Sequence, residues 1–457
     1  MANQIVTVNV AQRVAPAPST LQRTGAVISQ GGTTTAPGTL TLITQFADLT
    51  AILSTAKPIT SMVWSASVVT VTTTAPHGWT VSDVIPVVIA GVTPVGYNGP
   101  VTATITGAST FTYPLVGNPG SVTVQGSVIL ADEGELVSEY TTFFAQGVSL
   151  SNYVLELGET TVTEGVAALG TWITNNPNKV YSYLVPREWD GDAGFITFLG
   201  NFTSTTARTY FFVTTTLAQY AAYPVTLKCL ATLVQAPATA AAEFTMAAPW
   251  WVSLNYNPSS TNKVTPFGFS FLYGVTPYPI PGNSSTLAAL KAANVNYVGT
   301  GAEGGISTSI LFWGHLMDGN PFNYWYSIDW ASINLELTLA NAVINGSNDP
   351  LAPLDYNQQG INVLQDKATQ VLRNGITYGM LTGQVIQTQL PADQFKQNFE
   401  DGLYTGLLVI NAEPFLAYTS ENPNDYAIGR YAGFAAVITP ARGFESIIFD
   451  LTATNFI

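Results

Sequence analysis

The sequence predicts a mixed α+β chain of several domains, in which a small all-β module interrupts a body of alternating helices and strands. Three observations carry this prediction. Apolar residues recur at helical spacing in some stretches and at every second position in others. From Pro58 to Leu130 the style changes to a β-branched, Thr-rich run broken by Gly and Pro every few residues, as short strands and turns require. Of 457 residues, 47% are apolar and only 9% charged, enough for a large core and, at roughly 150 residues per domain, about three domains.

Element by element, Ile5 to Val10 alternates, with Val6, Val8 and Val10 on one face of a strand. AQRVAPAPSTLQRTG follows, and its two prolines make it a tether. A strand is expected at Thr39 to Thr44 and a helix at Ala47 to Leu53. After the β-rich interruption, a helix is expected at Ser138 to Gln146, ending at Gly147, then a strand at Asn152 to Leu157. Val166, Leu169 and Ile173 set a helix over Thr163 to Asn175, and strands are read at Val180 to Val185 and Thr209 to Thr214. Trp330 to Asn345 and Gln358 to Arg373 carry apolar stripes at steps of three and four, closed by Asn345-Gly346 and Gly375. Strands at Leu407 to Asn411 and Ser446 to Thr452 end the chain, with Ile447, Phe449 and Leu451 pointing one way.

The composition excludes several classes. No window reaches the ~20 consecutive apolar residues of a membrane-spanning helix; the Ala-rich stretch near Ala236 to Val252 is cut by Pro237, Glu243 and Pro249. The 22 Phe, 21 Tyr and 9 Trp exclude disorder. A net charge of −14 and no Lys/Arg cluster argue against nucleic acid. The N-terminus shows no basic stretch followed by an apolar segment, so the expected folding compartment is a cytoplasm. Cys229 is the single cysteine and reads as a buried apolar residue. With 14 basic and 28 acidic residues, against about 25% charge in ordinary domains, the surface is unusually neutral. Such surfaces suit chains packed against their own copies; a secreted β-rich adhesin often shares the composition.

Catalytic chemistry finds little support. His77 reads as a turn residue and His315 as a hydrogen-bonded packing residue, and no Cys or second His completes a zinc site. Gly299, Gly301 and Gly304 match G-x-G-x-x-G, but a strand-like GISTSILFWG follows where a dinucleotide site needs a helix. The acidic groups Asp132, Glu133, Glu135 and Glu156, Glu159, Glu164 show no partner that would set one carboxyl apart. Asp190-Gly191-Asp192 reads as a turn. Catalytic, cofactor and metal sites are therefore expected to be absent. The terminal strands stand out instead, because unpaired strand edges must pair somewhere, within the subunit or in a neighbour.

In order along the chain, LTLITQFADLTAIL, SEYTTFFAQGVSLSNYVLELG, AAPWWVSL, LAALKAANVNYVG, WYSIDWASINLELTLANAVI with VLQDKATQVLRNGITYGML, and RYAGFAAVITPARGFESIIFDLTATNF resemble the successive pieces of contractile phage tail sheath proteins. Departures mark a divergent branch: Glu156 stands where the family's strand carries a basic residue, and Asn334 and Glu336 replace a basic dipeptide of the long helix. The resemblance implies a mixed-sheet sheath core with terminal strand arms, divided as an N-terminal arm (1–24), a discontinuous sheath domain (25–57 and 131–240), an inserted β module on the outside (58–130) and a C-terminal core ending in an arm strand (241–457).

The resemblance further implies a non-enzymatic virion subunit assembled in the host cytoplasm into a helical homo-polymer around the tail tube. Baseplate and tail terminator proteins are its other expected partners; nucleic acid and membrane insertion are not. Val6, Val8, Val10, Ile447, Phe449 and Leu451 are the candidates for strand exchange between subunits. Asp393, Lys396 and Glu400, on a polar helix, are the candidates for tube contact. The alternatives are a non-contractile surface or adhesin-like β assembly and, on the glycine match alone, a nucleotide-binding enzyme.

Overall fold

The computed structural model describes residues 20–149, 151–237, 243–279, 284–301 and 307–445. The arm candidates Val6, Val8, Val10, Ile447, Phe449 and Leu451 lie outside them. The described chain is a mixed α+β, multi-domain structure.

The body opens with β1 (Gly25–Ser29), β2 (Leu40–Leu42) and α1 (Phe46–Ile52). Six strands follow: β3 (Lys57–Ser65), β4 (Val68–Thr73), β5 (Val84–Thr93), β6 (Gly99–Gly107), β7 (Thr110–Pro114) and β8 (Val124–Leu130). They close into a barrel in the order β3-β4-β7-β6-β5-β8. Alternation along the strands fills its interior with Val69, Val71, Ile85, Val87, Phe111 and Tyr113, all buried, while Thr residues face out.

β8 runs without a loop into α2 (Ala131–Gln146), after which come β9 (Asn152–Glu156), α3 (Val162–Asn175), β10 (Ser182–Val185), α4 (Ala193–Leu199), β11 (Tyr210–Thr215) and β12 (Leu230–Val234). Next are α5 (Ala247–Leu254), β13 (Phe271–Leu272), α6 (Ser284–Ala292), β14 (Asn296–Thr300) and β15 (Ser309–Phe312). These strands build a nine-stranded sheet ordered β13-β15-β14-β12-β11-β10-β1-β9-β2. Its centre, from β9 through β1, β10, β11 and β12 to β14, is parallel, and antiparallel strands finish both sides.

Parallel strands are covered on both faces, so they read as unbroken apolar runs. β1, β10, β11 and β12 are buried at every residue. Alternate residues enter two separate cores. Ala26, Ile28, Tyr183, Val185, Phe211 and Val213 meet Leu169 of α3 and Phe195 of α4. Val27, Leu184, Phe212 and Leu233 meet α2, α5 and the long helix α7 (Phe322–Ser347) on the other face.

α8 (Gln358–Thr377) packs antiparallel-hairpin fashion after α7, and a second sheet follows: β16 (Gln384–Thr388), α9 (Ala392–Glu400), β17 (Leu407–Ala412), α10 (Phe415–Glu421), α11 (Pro423–Ala427) and β18 (Phe434–Val437). Its order is β16-β17-β18, with β16 parallel and β18 antiparallel to β17.

Three helices differ in their ends from the sequence reading. α2 starts at Ala131, not Ser138, because Asp132 and Glu133 occupy its first turn, where the N-terminal end of the helix dipole favours acidic groups. α7 starts at Phe322 and passes Gly346 to end at Ser347. α8 passes through Gly375 to Thr377; a Cβ at Gly375 would sit 2.6 Å from Leu381 Cδ1, so this glycine serves close packing rather than termination. The strand-like reading after Gly299 holds: β14 pairs antiparallel with β15.

Candidate assembly interface and the crevice beside the barrel

The β16-β17-β18 sheet is covered on both faces. Leu408 and Ile410 of β17 point into the core that holds Ala368 and Leu372 of α8. Val409, between them, points the other way, against Phe395 of α9 and Tyr404. Among the described residues, β16 and β18 each have a strand on one side only. Their outer N–H and C=O groups are what a further strand could pair with.

α9 exposes one flank. Phe395 is its buried anchor, and Asp393, Lys396 and Glu400 are all exposed. Lys396 and Glu400 form an i,i+4 pair at 3.8 Å, worth a few tenths of a kcal/mol at such exposure. The structure thus brings two of the three tube-contact candidates together, on a helix that also exposes Phe399.

A second feature was not legible as a site. In the parallel sheet the chain leaves β1 for β9 on one side and returns to β10 on the other, so the connections diverge at the C-terminal ends of β1 and β10. Open α/β sheets have their crevice at such a switch point. Here it is a cavity of about 310 Å³, lined by Gln30 after β1, Arg187 and Glu188 after β10, Asp132 and Glu135 of α2, and roofed by Ile85 and Pro86 of the barrel strand β5.

The carboxyls have specific partners, which corrects the reading of these acidic groups as partnerless. Asp132 Oδ2 accepts from Ser29 Oγ at 2.9 Å, Gln30 N at 3.1 Å and Gly32 N at 2.9 Å. Glu156 accepts from Gly31 N and Gly158 N with Oε1, and from Thr33 N and Thr33 Oγ1 with Oε2, which also shares the single Ser29 hydroxyl proton with Asp132 Oδ2. Glu135 accepts from Arg187 N at 2.7 Å. Arg187 also donates to the carbonyl of Glu243 and lies over the Phe244 ring.

Burial dominates the titration of this group. It pushes Asp132 well above the usual carboxylate range, with Glu156 and Glu135 adding repulsion. It does the same to Glu139, again with Glu135 and Asp132. Glu135 is raised less, since Arg187 opposes burial there, and Glu133 is pushed up to about 7 against the pull of Lys57. Glu188 is exposed at the mouth, so solvent screening discounts the upward push that crowding and Glu135 give it.

The sequence did carry one signal for this cluster: Asp132, Glu135 and Glu139 recur at steps of three and four beside the apolar stripe Leu136, Tyr140 and Phe143. Starting the helix at Ser138 hid it.

The remaining motifs fall into structural roles. His77 is buried, not a polar turn residue: it stacks on Trp79 with ring centroids 4.6 Å apart. His315 Nε2 lies 2.8 Å from Glu445. Asp192 caps α4 by accepting from Phe195 N, and Asp190 accepts from Thr216 N and Tyr223 Oη, so Asp190-Gly191-Asp192 is a turn. Cys229 is buried. Among the described residues no cluster of His, Cys, Asp or Glu could hold a metal ion, and no helix is long and apolar enough to cross a membrane. No family model and no curated protein matches the chain.

Proposed function

We propose that the chain is a structural subunit of a contractile phage tail sheath, polymerising around a tail tube through exchanged terminal strands and contracting to drive that tube through the host envelope. The observation that carries this reading is the β16-β17-β18 sheet, covered on both faces by α8 and α9 and, among the described residues, open along both edges. The alternating terminal segments around Val6, Val8, Val10 and Ile447, Phe449, Leu451 have the pattern of strands that could add to those edges in neighbouring subunits.

A five-residue strand adds roughly four backbone hydrogen bonds of about 0.5–1.5 kcal/mol net each. One arm alone therefore contributes only a few kcal/mol; a closed lattice multiplies it. The low charge of the chain leaves few fixed ion pairs to break when one packing slides into another. The subunit acts without catalysis. It resides in the virion tail, with the tube, baseplate and terminator proteins as its partners.

Electron microscopy of the purified chain tests the reading: striated tubes are expected. Removing residues 1–13 should leave a folded subunit that no longer forms them, and normal tubes from that truncation would refute arm exchange. Lys396→Glu with Glu400→Lys should impair seating on tube protein; unaltered co-assembly would remove α9 as the contact.

A further inference from the structure

The chain crosses between barrel and body at Lys57 and at the loop-free Leu130–Ala131 junction. Asp132, Glu135 and Glu188 line the crevice at this seam, and further carboxyls stand close enough to couple with them. From α2 come Asp132, Glu133, Glu135 and Glu139; β9 supplies Glu156, and the turn after β10 supplies Arg187 and Glu188. On the barrel side, Lys57 and His77 line a neighbouring cavity of about 190 Å³ together with Glu133, and Asp83 accepts from Thr160 Oγ1 at 2.9 Å. Negative groups thus outnumber the two cations that bear on them, Arg187 and Lys57. Glu139 is 1% exposed and, among the described residues, its Oε1 has no hydrogen-bond partner.

We propose that this seam is a pH-responsive clasp: the barrel is seated on the body while the α2 carboxyls hold protons, and their ionisation loosens the seat. The geometry gives the reason. Asp132 and Glu135 line a cavity roofed by the barrel's Ile85 and Pro86, Glu139 follows on the same helix face and is repelled by both, and charging them in place sets like charges side by side in a poorly hydrated space. Opening the seam admits water and relieves that cost. On Asp132, Oδ2 accepts the three hydrogen bonds from Ser29 at the end of β1 and from Gln30 and Gly32 after it, which leaves Oδ1 able to carry a proton.

The sign follows from linkage. Burial holds the carboxyl pKa values higher in the closed seam than in an opened one, so the closed form binds more protons. Closure is favoured below the ordinary carboxylate range and weakens as pH rises through about 7, the value for Glu133. His77 is lowered by burial, so burial in the closed seam disfavours its charged form.

The test uses the full chain with spin labels on Thr104→Cys in β6 and Thr171→Cys in α3, both exposed positions, read by electron–electron distance distributions on unassembled subunit. One narrow distance is expected at pH 5, and a second, broader population at pH 8.5, with the open-to-closed ratio rising about tenfold or more. Identical distributions at both pH values would overturn the proposal. Glu133→Gln with Glu139→Gln should flatten the pH response, and a full response in that pair would overturn it equally. If the pair does not fold, Glu133→Gln alone, at a half-buried position, should reduce the response; an unchanged one counts against the clasp. The measurement is made on single subunits, so its outcome is separable from that of tube formation.

Discussion

The Tyr181 hydroxyl donates to Asp329 Oδ2 at 2.9 Å, joining the entry of β10 to the middle of α7 across 148 positions of sequence. Tyr210 donates to the same oxygen at 2.9 Å. Burial raises the Asp329 pKa, opposed by Lys228 and Arg208, and Arg208 itself lies 3.9 Å from the buried Glu336 of α7. A polar seam therefore runs between the parallel sheet and the long helix inside an otherwise apolar core. Glu336, one of the departures from the sheath-like pattern, is compensated here by an arginine from the loop before β11.

Asp329→Ala strips both tyrosines of their acceptor and leaves Lys228 and Arg208 without that carboxylate. The expected loss is about 3–5 kcal/mol, read as a lowered urea midpoint. Tyr181→Phe, which removes one donor while Tyr210 keeps the carboxylate bonded, should cost only about 1 kcal/mol. Equal losses from the two would contradict the seam.

Gly126 in β8 has φ +65°, and a Cβ there would lie 2.2 Å from the carbonyl oxygen of Ala90. The ladder passes from Ala90–Ser127 to Val92–Gln125 around it. Gly126→Ala should destabilise the barrel by at least about 1–2 kcal/mol, from the backbone conformation alone. Hydrogen exchange should show faster opening of β5 and β8 with the nine-stranded sheet unchanged.

Glu156→Gln keeps the shape but turns an all-acceptor group into one that presents two N–H donors. Since five donors face it, at least one is left opposed, at a cost of about 1–3 kcal/mol. The local reporter is the loop from Gly31 to Thr33, whose amides should lose exchange protection before the sheet does.

Leu372 of α8 is fully buried, in the core that also takes Leu408 and Ile410 of β17. Leu372→Ala should cost about 2–5 kcal/mol in thermal unfolding. Because α8 covers one face of the β16-β17-β18 sheet, the variant should also lower the yield of tubes on the sheath reading.

Local signals carried much of the secondary structure. The steps between Val166 and Leu169 placed α3, and the β-branched, Thr-rich run from Pro58 to Leu130 with its Gly and Pro turns marked a small all-β module, because each signal is written within a few residues of backbone geometry. Val180 to Val185 and Thr209 to Thr214 likewise read as strands, while their burial on both faces came only from the helices packed over the sheet. Tertiary structure alone decided which strands became neighbours: β1 lies between β9 and β10, and the crevice opens where those connections part. It also brought Glu135 to Arg187 and Tyr181 to Asp329. Such pairs are far apart along the chain and share no periodicity, so only the packing of helices onto both faces of the sheet, which excludes water and compels each buried polar group to find a partner, determines that they meet.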